Sequence, residues 1–253
     1  MPARRRRRFR RLVPHEGLAT LTPAMETAGR YFEWVFDALV PHLSGRVLEV
    51  GSGFGVFSTV LARRHGAVVA TDQDPAAVAV LERRLAPFPQ ARVRRLDILD
   101  DGAVAALARE GPLDAVVSMN VLEHVEDDVR ALANMARLVR PGGTVIAFVP
   151  ALEALYGSLD ALAGHFRRYD RPMLDARFRA AALRPRALRY FNLLGALGWF
   201  VNACVVPQPR LDTTAMNGQV ALYDRFVVRL SAALERRFTP PFGQSLIGVA
   251  ERP

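Results

Sequence analysis

The segment Val47-Leu48-Glu49-Val50-Gly51-Ser52-Gly53-Phe54-Gly55 sets an acid before three glycines at alternate positions. Glycine accepts φ > 0 and lets a backbone approach a ligand closely. An apolar strand, a glycine turn and a helix start, in that order, build a cofactor cradle in doubly wound α/β folds. A pyrophosphate site asks for G-x-G-x-x-G. Here the third of those positions is Val56, and the glycine falls one residue early, at Gly55, so the spacing speaks against a dinucleotide. Asp72 lies 21 residues beyond Gly51, at the end of a second apolar run, with Gln73 beside it. A carboxylate there can accept from ribose hydroxyls. The plainer reading of Asp72, a helix N-cap, suits Asp74 before Pro75 better. Asp97-Ile98 ends a third run, although turn aspartates such as Asp100 and Asp101 are common nearby.

A second group lies further on. Tyr156-Gly157-Ser158-Leu159-Asp160 precedes Gly164-His165-Phe166-Arg167-Arg168-Tyr169. An imidazole titrates near neutrality, so His165 is the candidate catalytic base. Tyr169 stands with it as a catalytic candidate, Tyr156 is placed to orient an acceptor, and Arg168 to pair with an acidic group on it. The competing reading is a loop pinned by His165 and Tyr169, with the arginines solvated. Asn120 follows a fourth run and can reach cofactor or substrate. Glu123 and His124, just after, read better as fixing the next helix than as catalysts. No motif requires a metal, although Asp160 and His165 could join one. The single cysteine, Cys204, excludes an internal disulfide and reads as a buried thiol.

These residues need elements to hold them. Strand-like runs at 46–50, 68–71, 91–96, 114–118 and 144–149 alternate with helical patterns at 56–65, 75–85, 104–109 and 127–138. That is the pattern of a parallel sheet flanked by helices. A helix is expected over 23–43, and beyond the sheet runs lie helices at 171–182 and 223–238 and strands at 186–190 and 245–250. The stretch 191–206 is apolar but broken by Asn192, Gly195, Gly198 and Asn202, too short and polar to span a bilayer. It reads as a helix over the core, with Trp199 and Phe200 toward an acceptor, or as plain packing. A dip into a membrane surface is the weaker alternative. The chain has 253 residues and a formal net charge of +9, yet seven arginines fall within the first eleven residues. Residues 1–22 therefore read as a basic, disordered tail, and 23–253 as one nearly neutral domain. No lysine occurs at all, so arginine here reflects coding bias more than phosphate recognition. The arginine-rich start lacks the apolar stretch of a secretory signal, which makes the cytoplasm the expected location.

Glu-x-Gly-x-Gly-x-Gly at 49–55 resembles the first motif of class I S-adenosylmethionine (SAM)-dependent methyltransferases. Leu122-Glu123-His124 and Leu138-Val139-Arg140-Pro141-Gly142-Gly143 fall where the small-molecule, methyltransferase type 11-like branch carries similar runs. Gly-His-x-Arg-Arg-Tyr at 164–169 resembles a segment of some bacterial small-molecule methyltransferases. The resemblance implies an α/β, Rossmann-like doubly wound fold: a mostly parallel seven-stranded sheet with a helical cap from the C-terminal third. It implies SAM as cofactor and S-adenosylhomocysteine (SAH) as product. Glu49, Gly51, Gly53, Gly55, Asp72, Gln73, Asp97, Ile98 and Asn120 would hold it, with Tyr31 reaching over from the first helix. Asp97 would meet the adenine amino group and Ile98 the ring. Segments 151–182 and 191–222 would form the acceptor side, with Tyr156, Arg168 and Trp199 as substrate contacts. The expected reaction is O- or N-methylation of a small molecule in bacterial secondary metabolism. A non-catalytic SAM-binding subunit is the alternative, and a nucleic-acid or lipid-linked acceptor is more distant. Nucleic-acid base methylation would call for Asn/Asp-Pro-Pro-aromatic where this chain has Ser118-Met119-Asn120-Val121.

Overall fold

The computed structural model describes residues 28–205 and 214–253. The tail expected over 1–22 and the first residues of the helix expected from Pro23 lie outside them. Seven strands form one sheet: β1 Val47–Val50, β2 Val68–Asp72, β3 Ala91–Arg95, β4 Leu113–Met119, β5 Val139–Pro150, β6 Arg184–Phe191 and β7 Ser245–Glu251. Their order is β3-β2-β1-β4-β5-β7-β6. Strands β1 to β5 pair in parallel, and β7 runs antiparallel between β5 and β6.

Central strands made of valine, leucine and alanine are buried on both faces, as a parallel sheet covered by helices demands. Alternate residues feed two cores. Leu48, Val50, Val116 and Val145 pack with Leu132, Met135 and Phe178 on one face. Val47, Val117, Ile146 and Phe148 pack with Phe36, Leu39, Phe57 and Leu61 on the other. Helices α1 (Gly29–Leu39) and α2 (Val56–Arg64) serve the second core. Helices α3 (Pro75–Leu85), α4 (Asp101–Ala108) and α5 (Asp128–Leu138) follow in the crossovers between strands. Aspartates start three of them: Asp74 accepts from Ala76 N–H, Asp100 from Gly102 and Ala103, and Asp127 from Arg130. The expected helix over 104–109 begins three residues earlier because Asp100 caps it.

Beyond β5 come α6 (Ser158–Ala163), which the sequence reading did not anticipate, and α7 (Arg171–Ala180). Residues 165–169 return beside the end of β5, where Tyr169 N–H donates to Pro150 O and Leu152 N–H to Tyr169 O. Helix α8 (Leu193–Trp199) continues as a π-helical turn over Phe200–Val205. After α9 (Thr214–Leu222), a π-helical turn at Tyr223–Val227 leads into α10 (Val228–Glu235). Asp224 accepts from the N–H groups of Arg30 and Tyr31 at 3.3 and 2.8 Å, closing the start of α1 from nearly two hundred residues away. Among the described residues no helix is long and apolar enough to cross a membrane.

Candidate active site

The glycine loop leaves β1 at the carboxyl edge of the sheet, where open α/β sheets bind ligands. Gly51 has φ +66°, and a Cβ there would stand 2.5 Å from Val121 Cγ2. Gly55 caps α2 with φ +81°, and its Cβ would meet Leu81 at 2.7 Å. Larger residues would therefore be both strained and crowded at these positions. The loop is braced from β2. Asp72 accepts from Gly53 N–H at 2.8 Å and from Asp74 N–H at 2.9 Å, and Ser52 N–H donates to Thr71 O at 2.8 Å. Each Asp72 oxygen keeps a second lone pair for a ribose hydroxyl.

Glu49 is buried beneath this loop and accepts from the Ser58 hydroxyl. Burial pushes its pKa up to about 7. It therefore ties β1 to α2 as well as standing near the loop. Gln73, Arg95, Pro75 and Asp97 line a crevice of about 660 Å³ at the tips of β2 and β3. Asp97 is exposed and accepts from Leu99 N–H at 2.9 Å. Ile98 faces the core, and its carbonyl accepts from the Asn134 amide at 2.8 Å. Asn120 is exposed with φ +52°, one of four non-glycine residues at positive φ among those described. Such backbone conformations are costly and cluster at functional sites.

The Tyr31 ring packs edge-on against Phe32, Trp34 and Phe191. Burial raises its hydroxyl pKa, with Tyr223 and Glu235 contributing in the same direction. These contacts place the ring beside the end of β6 and, through the Phe32–Phe57 contact, next to the helix that follows the glycine loop.

The second group assembles around two buried carboxylates. Asp160 accepts from His165 Nδ1 at 2.7 Å, from Arg168 Nε at 2.8 Å and from Gly157 N–H at 2.9 Å. Burial alone would raise its pKa, but the bond to His165 and the charge of Arg168 outweigh that and hold it below the usual range. Asp128 accepts from the Tyr169 hydroxyl at 3.0 Å and pairs with Arg167 and Arg177 at 2.8 and 3.3 Å.

Two expectations change as a result. Tyr169 is fully buried, and its hydroxyl also reaches Leu122 O at 3.0 Å. With burial raising its pKa, it is a brace for the turn after β4 and not a catalytic group. Arg168 is 2 % exposed, and it donates to Asp160 and Ala151 O beneath the Trp199 ring. Its Nε and one terminal nitrogen are thus committed to the protein itself. Tyr156 donates to His165 O at 2.8 Å and Trp199 Nε1 to Leu155 O at 3.1 Å, so their polar groups hold the loop too. Phe200 is 47 % exposed. Cys204 is partly buried beside Leu155 O, its pKa raised by burial.

His165 is different. Asp160 fixes Nδ1 and leaves Nε2 free to act. Phe166 N–H donates to Glu123 O at 2.7 Å, docking this loop on the short 3₁₀ turn Leu122–His124. The His124 and His165 rings meet edge-on at 4.7 Å. Glu123 is fully buried, and neither carboxylate oxygen has a hydrogen-bond partner. Burial pushes its pKa up to about 7. From the sequence, Glu123 and His124 read as supports for the next helix, and Asp160 and His165 as the residues that could join a metal. The structure gathers Glu123, His124 and His165 so that one donor atom from each lies within 4.8 Å of the others.

A glycine loop on β1, a braced acid on β2 and this strand order define a class I SAM-dependent methyltransferase fold. Residues 48–147 match the family model described as a methyltransferase domain. An uncharacterized methyltransferase of Mycobacterium tuberculosis is 40% identical over 124 residues, 48% of this chain and 60% of that protein. A ubiquinone biosynthesis O-methyltransferase of Paracidovorax citrulli is 37% identical over 116 residues, 44% of this chain and 46% of that protein. The matched part thus spans about half the length of these relatives. Among solved structures, a chain from the complex of the Haloferax volcanii Trm112 methyltransferase activator with a putative methyltransferase aligns over 94% of this chain and 98% of its own. That alignment has a TM-score of 0.62 at 19% identity. The geranyl diphosphate C-methyltransferase of Streptomyces coelicolor, solved with Mg2+, geranyl diphosphate and SAH, aligns over 86% and 77%. Its TM-score is 0.56 at 15% identity.

Proposed function

We propose that this protein transfers the methyl group of SAM to an oxygen or nitrogen of a small-molecule acceptor in bacterial secondary metabolism. One observation carries the reading. The five residues Asn120–His124 touch both half-sites: Val121 packs on Gly51, and Glu123 O holds the His165 loop. A cofactor over the glycine loop and an acceptor beside His165 are thereby neighbours. SAM supplies the reactive methyl, and the protein's task is to hold the acceptor in line with it. The braced loop, Asp72, Gln73, Asp97 and Asn120 fit the cofactor's ribose, adenine and amino-acid end. His165, oriented by Asp160, accepts the acceptor's proton at Nε2 as the methyl arrives. The relative named as an O-methyltransferase favours oxygen as the target atom.

The test is methyl transfer from radiolabelled SAM to a panel of phenols and amines by wild type and His165→Ala. Loss of a proton acceptor costs roughly 10²-fold or more in rate while SAH binding persists. Equal transfer by the variant would remove His165 from the chemistry.

A further inference from the structure

We infer that Glu123, His124 and His165 form a binding site for one divalent transition-metal ion of the zinc type, at the turn after β4. The first ground is the orphaned carboxylate. Glu123 is 0 % exposed and both oxygens lack a donor. A buried carboxylate without partners is costly unless neutralised or paired with a cation. The second ground is what stands around it. The donor atoms of Glu123, His124 and His165 lie within 4.8 Å of one another, and zinc takes such ligands at about 2.0–2.2 Å. Two imidazoles and one carboxylate suit zinc and its neighbours in the first transition row, whereas Mg2+ and Ca2+ prefer oxygen ligands.

The third ground is the support behind His165. Metal-bound histidines commonly donate their other ring N–H to a carboxylate. His165 Nδ1 meets Asp160 at 2.7 Å, and Asp160 is itself gripped by Arg168 and Gly157. That arrangement fixes the tautomer with its lone pair on Nε2, the atom left for the ion. His124 is exposed, so the outer side of the ion is open to water or an acceptor atom. Three protein ligands with an open position is the layout of catalytic rather than structural zinc.

The site lies on the face assigned above to the acceptor, but its existence does not depend on methyl transfer. With the ion bound, Nε2 of His165 is a ligand, and the proton-accepting role given to it belongs to the metal-free protein.

The untagged full chain, stripped with chelator, is titrated with Co2+ and followed by its visible d–d absorption, with Zn2+ competing for the same site. One equivalent is expected, with binding weakened at least ~10-fold in His124→Ala and His165→Ala. His124 is on the surface, so its variant keeps the fold, as thermal denaturation checks. Absence of one-equivalent uptake by wild type, or uptake unchanged in both variants, overturns the site. A parallel SAH titration separates the readings. SAH binding without Co2+ uptake defeats the metal site alone, and Co2+ uptake without SAH binding defeats the methyltransferase reading alone.

Discussion

Around the glycine loop, the braces are short-range or lie on the adjacent strand: Asp72 to Gly53 and Asp74, Thr71 to Ser52, Glu49 to Ser58. At the turn after β4 they come from far along the chain. Tyr169 reaches Leu122 and Asp128, Arg167 reaches Asp128, and Phe166 reaches Glu123, each about 40 residues away or more. The first region ties its buried acids to backbone N–H groups and a serine, whereas the second ties them to arginines. A cofactor cradle of this kind is written into local spacing, and the acceptor side exists only once β5 and the segment behind it are docked. Damage to the second region should therefore unfold more than it merely inactivates, and damage to the first should chiefly loosen the cofactor.

The largest expected effect is in the second region. Asp160→Ala leaves Arg168 buried and unpaired, which costs about 3–5 kcal/mol in chemical denaturation. A loss below 1 kcal/mol would show that Asp160 is not the organising group. Next comes a pH effect in the first region. Folded Glu49 holds its proton to about pH 7, while the unfolded chain releases it near 4.5. Between those values the folded state binds more protons, so stability falls as pH rises through the window, by up to about 3 kcal/mol. Glu123 adds slope of the same sign, so the comparison is between variants. Glu49→Gln should flatten the pH dependence measured by urea unfolding, and an unchanged slope would refute the assignment.

Gly51→Ala should cost about 1–3 kcal/mol, because it combines positive φ with a clash against Val121. It should also weaken SAH binding, and Val121→Ala should recover only the part due to crowding. Tyr169→Phe should cost about 1–3 kcal/mol by orphaning the groups it bonds, with SAH affinity unchanged, as calorimetry would show. A loss of transfer activity with full stability would instead return Tyr169 to the chemistry.

The sheet was legible in the sequence because its central strands are near-continuous apolar runs and several of its helices open on Asp or Asp-Pro. The glycine loop and Asp72 were legible because their spacing is local. The burial of Glu123 is not legible in Leu122-Glu123-His124, because a loop some forty residues later closes over it. Tyr169 and Arg168 looked like site residues because polar side chains in a loop look solvent-facing. The parallel bridge between Ala151 and Tyr169 carries them inward instead. Tyr31 shares a helix with core residues, and its contact with Phe191, 160 residues later, is not visible in local spacing.

The most direct test of the central claim is calorimetric titration of the full chain with SAH, using wild type and Asp72→Ala. Wild type should bind one equivalent with an affinity on the order of micromolar, and the variant at least ~10-fold more weakly, as loss of hydrogen bonds to a charged group predicts. No binding by wild type, or equal binding by the variant, would contradict a SAM site on the β1–β2 edge.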